Sequence, residues 1–280
     1  MLSGWKIINK THYTIINNNS KNLTDIEYFN SFIYQIYNKM VFKIFDNNLV
    51  ICKPNTMMGN YNFIRYCNTN ISSHVNNKLL EGGFTLRGSD IKGKKDKFGD
   101  ECIYCTKTCI EKKGKKFSRF RNILKRYKLH LDTIYKSGYN DDIDFVVKQW
   151  SKHNNSKHQI KLLSVIKQFL NIVNITRIYY KDQIVGFSIV EIINKNNGII
   201  IQRLINPEIK NIIIEPNILI HYCDCLNNPN MFLNIGASRN KNIKIAKQKL
   251  KPFRFLKINR LVSKKKFTKP DWSYFKKELL

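Results

Sequence analysis

The sequence predicts an α+β fold in which a mixed, largely antiparallel sheet is flanked by helices. Hydrophobic residues form 42% of the 280-residue chain, which is enough for a sizeable buried core. Up to about residue 170 the apolar residues recur mainly at helical spacing, and beyond it they form β-branched runs that are typical of strands. A chain of this length is expected to hold about two domains.

Residues 1–85 are predicted to form an N-terminal domain. After a polar tract rich in Asn and Thr, residues 26–37 are expected as a helix and residues 40–52 as a β-hairpin that turns at Asp46 to Asn48. Residues 82–99 contain five glycines and little apolar content, so we expect a loop that joins two domains.

Residues 86–262 are predicted to form the second domain, and residues 263–280 a basic tail. Its first half is helical, with a break at Gly114 and with acidic residues at the start of one helix, where they meet unpaired backbone N–H groups. The predicted helices cover residues 103–127, 141–150 and 156–173.

The second half of this domain alternates strands and helices. A three-stranded antiparallel meander comes first, because short polar turns separate its β-branched runs. Pro216 suits the first position of the next helix. The predicted elements are strands at 177–181, 184–193 and 198–205, a helix at 217–226, a strand at 231–234, a helix at 240–250 and a strand at 253–262.

The net charge of +29 is the strongest bulk signal and implies a polyanionic partner: transfer RNA, DNA or other RNA, or the surface of an anionic membrane. Abundant Asn, Ile and Lys also match A/T-rich codons, so arginines are better ligand candidates than lysines. No apolar run approaches the ~20 residues that span a bilayer, and no secretory signal is evident, so we expect a cytoplasmic protein without a transmembrane segment.

Residues 114–127 are predicted to form a basic amphipathic helix. Phe117, Phe120 and Leu124 recur at the three-and-four spacing of one buried face, together with Ile123 and Tyr127. The opposite face then presents cations suited to phosphate: Lys115, Lys116, Arg119, Arg121, Lys125 and Arg126. The alternative interpretation is an ordinary solvated basic helix.

Four short motifs follow one another between residues 85 and 262. They are D-E-C-I-Y at 100–104 with G-K-K-F-S-R-F-R-N at 114–122, Trp150, I-V-G-F-S-I-V-E at 184–191, and N-I-G-A-S-R-N from 234, continuing to Pro252. Together they resemble the C-terminal domain of the phosphatidylglycerol lysyltransferase family. The resemblance implies a GNAT-like fold, often with two such domains in tandem, so that residues 1–85 are expected to be an incomplete GNAT-like half. The best-known members of the family transfer an aminoacyl group from a charged transfer RNA to a lipid head group.

The resemblance also locates candidate donor and site residues. GNAT-like enzymes bind acyl-coenzyme A at a glycine-containing turn after the fourth strand. Residues 203–216 contain no glycine and two prolines, which favours aminoacyl-tRNA over acyl-coenzyme A as the donor, although an unusual coenzyme A site stays open. Residues 235–239 lack the acidic residues of the family pattern. No firm cofactor is predicted.

We expect Glu191 and Asn234 to be catalytic, with Glu191 acting as a base or as an anchor for an ammonium group. The turn that follows Asn234 comes after a strand and opens a helix, where ligands often bind. The alternative is an ordinary turn capped by Ser238 or Asn240. The predicted substrate-binding residues are Lys116, Arg119, Arg121, Asn122, Trp150, Arg203, Gly236, Ser238, Arg239 and Lys247.

Seven cysteines without a secretory context are expected to be reduced thiols. The spacing of Cys102, Cys105 and Cys109 suits zinc or an iron–sulfur cluster, with Cys223 or Cys225 as a further ligand. A second well-spaced pair is missing, so we favour a structural role and predict no metal.

Two rival functions stay open beside aminoacyl transfer. One is an acyltransferase that modifies DNA or RNA bases, and the other is a non-catalytic GNAT-like protein that binds nucleic acid through its basic face.

Overall fold

The computed structural model describes residues 4–264, except for gaps at residues 22, 24–25, 46–47, 56–61, 67–71, 98, 130–134, 210–214 and 238–239. The chain divides into two compact units. The first takes residues up to Glu101 and from Leu256, with Ala237–Arg239, and the second takes Cys102–Gly236 and Asn240–Phe255. The division thus falls after Glu101, whereas the sequence placed it after residue 85. Within the described residues, every helix is too short or too polar to cross a lipid bilayer.

The first unit is built on a seven-stranded sheet. Its strands are β1 (Lys6–Ile7), β2 (Val41–Phe45), β3 (Asn48–Asn55), β4 (Asn62–Tyr66), β5 (Thr85–Gly88), β6 (Lys94–Lys95) and β14 (Asn259–Leu261). Its helices are α1 (Tyr13–Ser20), α2 (Phe32–Tyr37) and α3 (Ser73–Glu81). The predicted hairpin is confirmed by the antiparallel pairing of β2 with β3, although most of its turn lies outside the described residues.

The second unit also contains a seven-stranded sheet. Its strands are β7 (Glu101–Cys105), β8 (Tyr135–Ser137), β9 (Val173–Tyr180), β10 (Gln183–Asn194), β11 (Asn197–Ile205), β12 (Phe232–Asn234) and β13 (Arg254–Leu256). Its helices are α4 (Thr106–Glu111), α5 (Ser118–Leu129), α6 (Asp141–His153), α7 (His158–Ile166), α8 (Pro216–Asn227) and α9 (Lys241–Lys249). The meander β9–β10–β11 and the helices α6, α8 and α9 confirm the periodicity-based predictions.

The two sheets share one topology. Counted from β1 in the first sheet and from β8 in the second, the first four strands pair antiparallel. The fourth strand then pairs parallel with the fifth, which is β4 with β5 in the first sheet and β11 with β12 in the second. The sixth position is filled from a distant part of the chain. It is taken by β14 beside β5 and by β7 beside β12, both antiparallel. The predicted mixed, largely antiparallel sheet is therefore present twice.

Three predicted segments were wrong. Residues 82–99 are not a loop, because β5 lies in the middle of the first sheet with all four of its residues buried. Residues 103–105 belong to strand β7 rather than to a helix, because they pair with β12. The predicted strand 253–262 is two short strands in two sheets, β13 beside β7 and β14 beside β5.

A buried charge cluster explains how β5 tolerates an arginine in its centre. Arg87 is 2% exposed, and its guanidinium lies 3.2 Å from Asp96, 3.4 Å from Glu101 and 3.7 Å from Glu27, all buried. Glu27 also accepts hydrogen bonds from the backbone N–H and the hydroxyl of Ser89. Burial, reinforced by the nearby Glu101 carboxylate, raises the pKa of Glu27 to about 7.

The Glu27 carboxyl should make the stability of the first unit depend on pH. A carboxyl whose pKa rises from 4.5 in the unfolded chain to about 7 in the native state binds its proton more tightly when folded. The free energy of unfolding should therefore decrease as the pH rises from about 4.5 to about 7, by roughly 3 kcal/mol at most. Urea unfolding at pH 5 and pH 8 should show this loss in the wild type. The Glu27→Gln variant should not lose stability over this pH range. An equal dependence of the free energy of unfolding on pH in both proteins would contradict the assignment.

Candidate functional site

Strand β12 ends in the middle of the second sheet, whereas its neighbour β11 continues. Their parallel pairing covers Asn197–Ile199 on β11 and ends at Asn234 on β12, whereas β11 continues to Ile205. The pairing of β11 with β10 jumps by one residue at Ile201, because Ile189 faces Gln202 and Val190 faces Ile200. A bulge beside the end of a neighbouring strand is a common feature of ligand sites.

The two predicted catalytic residues lie in one row of this sheet. Glu191 faces Ile199 on β11, and Ile199 faces Asn234 on β12, so one strand separates them and their Cα atoms lie about 10 Å apart on the same face. Both side chains are buried, Glu191 at 1% exposure. On the neighbouring row of that face, Gln202 donates to the side-chain oxygen of Gln159 on α7, at 2.8 Å.

The turn after β12 is held by its own hydrogen bonds. Asn234 Oδ1 accepts from the Gly236 N–H at 2.6 Å, and Gly236 has a φ of +68°, which suits glycine. The Lys247 ammonium donates to the carbonyls of Ile235 and Gly236, at 2.7 and 3.0 Å. Lys247, which the sequence assigned to substrate, thus also fixes the turn. Ser238 and Arg239 lie outside the described residues, and Asn240 caps α9.

Arg203 lies on the opposite face of the sheet from Glu191. Its Nε donates to Ser188 Oγ at 3.4 Å, and since side chains alternate along β10, Glu191 points the other way. Its Nη2 donates to Asp224 on α8 at 2.5 Å and lies 3.4 Å from His221 Nδ1. Asp224 is fully buried, so Arg203 compensates its charge. The structure therefore separates Arg203 from the Glu191 and Asn234 row.

A thiol and imidazole cluster continues from this ion pair. The ligand atoms of Cys109, His221 and Cys225 lie within 4.8 Å of one another, all buried, and Cys225 Sγ is 3.9 Å from His221 Nε2. The Tyr104 ring packs edge-on to His221, with the centroids 4.7 Å apart. A hydrogen bond from the Cys225 thiol, assisted by His221 and Lys112, lowers the pKa of Cys109 to about 5 against the effect of burial.

Sequence reasoning found two of these three residues. It named Cys109 and Cys225 as metal-ligand candidates, together with Cys102 and Cys105, which lie outside this cluster on β7. His221 was missed because only His–His and His–Glu spacings were considered. His221 and Cys225 lie four residues apart on α8, a spacing that places two side chains on one helix face, and this signal could have found it.

The basic helix has the predicted two faces. Phe117, Phe120 and Leu124 are buried in the core of the second unit, whereas Lys116 and Asn122 are exposed. Arg119 is 61% exposed and forms an ion pair with Glu215 at the start of α8. The side chains of Arg126 and Tyr127 lie outside the description.

Two further predicted residues occupy positions within the fold. Arg121 donates to the carbonyls of Lys112 and Gly114, at 2.5 and 2.9 Å, and so fastens the connection between α4 and α5. Trp150 is half-buried on α6, where its carbonyl accepts from Asn154. Their contact with substrate stays a prediction.

Comparison with known proteins gives matches to structures alone. No protein-family model and no curated protein sequence matches the chain. A conserved protein of unknown function from Bacteroides thetaiotaomicron is 17% identical, with a TM-score of 0.75, and the alignment covers 93% of this chain and 99% of that one.

Two of the similar structures have informative names. L-PGS from Bacillus licheniformis is 11% identical, with a TM-score of 0.63 and 98% of each chain covered. The C-terminal domain of a putative lysylphosphatidylglycerol synthetase from Agrobacterium fabrum is 11% identical, with a TM-score of 0.58, covering 88% of this chain and 90% of that domain. At these identities the likeness shows the fold alone: this chain has a GNAT-like fold.

Proposed function

We propose that this protein is an acyltransferase that moves an aminoacyl group from an aminoacyl-tRNA to an acceptor amine or hydroxyl. The observation that carries the proposal is the end of the β11–β12 pairing inside a GNAT-like sheet, with the buried Glu191 in the last paired row. The names of the L-PGS and lysylphosphatidylglycerol synthetase structures agree with this reaction class.

The end of β12 suits a ligand because an extended donor can lie along the part of β11 that continues past it. Main-chain hydrogen bonds to a strand give affinity with little demand on side chains. Sheet positions where the strand arrangement changes are common ligand sites. An ester bound along this part of β11 would lie close to Glu191, which is in the last row where β11 pairs with β12.

Glu191 is the group we assign to proton transfer. The attacking amine or hydroxyl forms a bond to the ester carbonyl carbon, and Glu191 accepts its proton. The bond between that carbon and the ribose oxygen of the tRNA then breaks, and Glu191 returns the proton to this oxygen, which leaves as a hydroxyl. The ester is already activated, so holding the two reactants together supplies much of the rate. A carboxylate that removes a proton as general base raises the rate by a further factor of about 100 to 10,000.

The basic face of α5 supports a phosphate-rich donor. Lys115, Lys116 and Arg119 are exposed there, over a helix that is anchored by its buried aromatic residues. Exposed cations bind nucleic acid backbones by releasing counterions, so the affinity for the donor should fall with salt. Transfer RNA fits such a surface better than a small acyl donor.

The experiment supplies the purified protein with labelled aminoacyl-tRNA or with acetyl-coenzyme A. Phosphatidylglycerol vesicles, free amines and DNA serve as acceptors. We expect label to move from the tRNA to one acceptor class, and Glu191→Gln to lower that rate by about 100-fold or more. The proposal would be refuted if label moved from the tRNA to none of these acceptors.

A charge-matched pair of double variants tests the donor assignment. Lys116→Gln with Arg119→Gln should raise the KM for aminoacyl-tRNA about tenfold and leave unchanged the rate with a minimal aminoacyl-adenosine ester. Lys152→Gln with Lys157→Gln removes the same charge from exposed positions at the end of α6 and before α7. Equal effects of the two double variants would mean that net charge, rather than the α5 surface, binds the donor.

A further inference from the structure

We propose that Cys109, His221 and Cys225 form a zinc-binding site in the second unit. Cys109 lies on α4, and the other two residues lie one turn apart on the same face of α8. The site is separate from the Glu191 row, since α8 covers the face of the sheet on which Arg203 lies.

The geometry is close to that of a metal site. Zinc bonds to cysteine sulfur and histidine nitrogen are about 2.0 to 2.3 Å long, so two ligands of one tetrahedral ion stand about 3.5 to 3.8 Å apart. His221 Nε2 and Cys225 Sγ are 3.9 Å apart. With Cys109 Sγ they form a triangle of ligand atoms whose sides are each at most 4.8 Å long. Small side-chain rotations therefore bring all three ligands to one ion.

The chemistry of the donors selects zinc among common cations. Two thiolates and an imidazole suit zinc, whereas magnesium and calcium require oxygen ligands. Zinc with two thiolates and a neutral histidine carries no net charge, which is the arrangement that a fully buried site tolerates best. Three protein ligands leave the fourth position of the tetrahedron for a water molecule or a substrate atom.

Asp224 lies near His221 and has a carboxylate of the kind that zinc-binding histidines use as an outer partner. Its Oδ2 and His221 Nδ1 both contact the same Arg203 nitrogen, at 2.5 and 3.4 Å. Its Oδ1 is buried and has no hydrogen-bond partner among the described residues. When Nε2 binds the metal, Nδ1 carries a proton and can no longer accept a hydrogen bond from Arg203. Carboxylates commonly accept the hydrogen bond of this N–H, so metal binding would turn Nδ1 from Arg203 towards Asp224.

The test is cobalt substitution followed by optical spectroscopy on the full chain. The metal-depleted protein titrated with cobalt should bind about one ion per chain, with thiolate-to-cobalt charge-transfer absorption and the d–d bands of a tetrahedral ion. Zinc should displace the cobalt and remove both signals. Absence of thiolate charge transfer in the wild type overturns the proposal, whatever the variants do.

Variants locate the site. Cys109→Ser and His221→Gln should each lower cobalt affinity by about 100-fold or more, since loss of even an outer partner costs about 10- to 100-fold. Cys223→Ser is the matched control, a buried thiol on the same helix that is outside the triangle, and should bind as the wild type does. Loss of binding in the control but not in Cys109→Ser would place the metal elsewhere and overturn the assignment.

Discussion

Replacing Arg87 by methionine should destabilise the first unit by about 3 to 5 kcal/mol. The substitution removes the guanidinium that lies within 3.7 Å of Glu27, Asp96 and Glu101, whose side chains are at most 4% exposed. Buried carboxylates without a counter-charge must either bind protons or draw in water, and both cost free energy. The loss should be largest above pH 7, where Glu27 is ionised.

Tryptophan fluorescence can report this unit by itself. Trp5 is buried against Phe84 in the first unit, so a background with Trp150→Phe and Trp272→Phe leaves one local probe for urea unfolding. Arg260→Met is the matched control, since Arg260 faces Arg87 on the neighbouring strand but is only half-buried. An unfolding midpoint unchanged by Arg87→Met would show that the carboxylates do not need the guanidinium.

Gly186→Ala should destabilise the second unit by about 3 kcal/mol, at the upper end of the usual cost of overpacking. A Cβ atom at Gly186 would lie 2.5 Å from the Leu204 carbonyl oxygen and 2.8 Å from Ile220 Cδ1. The Ile220 side chain can rotate away, but the Leu204 oxygen belongs to the adjacent strand β11. Strand β10 would therefore have to move away from the end of β11 that continues past β12.

The double variant with Ile220→Val separates the two contacts. Shortening Ile220 alone should cost about 1 kcal/mol. If the backbone contact dominates, the double variant should be about as unstable as Gly186→Ala. Unfolding is followed by the fluorescence of Trp150 in a background without the other tryptophans. Full rescue by Ile220→Val would contradict the assignment to the Leu204 oxygen.

Much of the second unit could be predicted from local sequence. Strands β9 to β11 have β-branched runs and short polar turns, and α8 has proline at its first position, so pattern and structure agree. Strand β5 could not be predicted in this way. Its sequence, T-L-R-G, is short and contains an arginine, and it is stable in the sheet because carboxylates from other segments surround Arg87.

The candidate site shows the same limit. The sequence named Glu191 and Asn234 as candidates, but only the register shows that they lie in one row, and face alternation separates them from Arg203. The triangle of Cys109, His221 and Cys225 joins two helices from distant parts of the chain. Such proximity follows from tertiary packing, which no local spacing encodes.

The position of β14 between β5 and β6 has a consequence for protein synthesis. Domains generally fold in order as the ribosome releases them, but the first sheet receives this strand only when residues 259–261 have emerged. Until then β5 is an open edge, a surface on which strands of other chains can add. In the finished sheet the outermost strand is β6, where Lys94 and Lys95 are exposed and discourage such addition. The nascent chain lacks that protection, so we expect its dependence on chaperones to last until residues 259–261 have emerged.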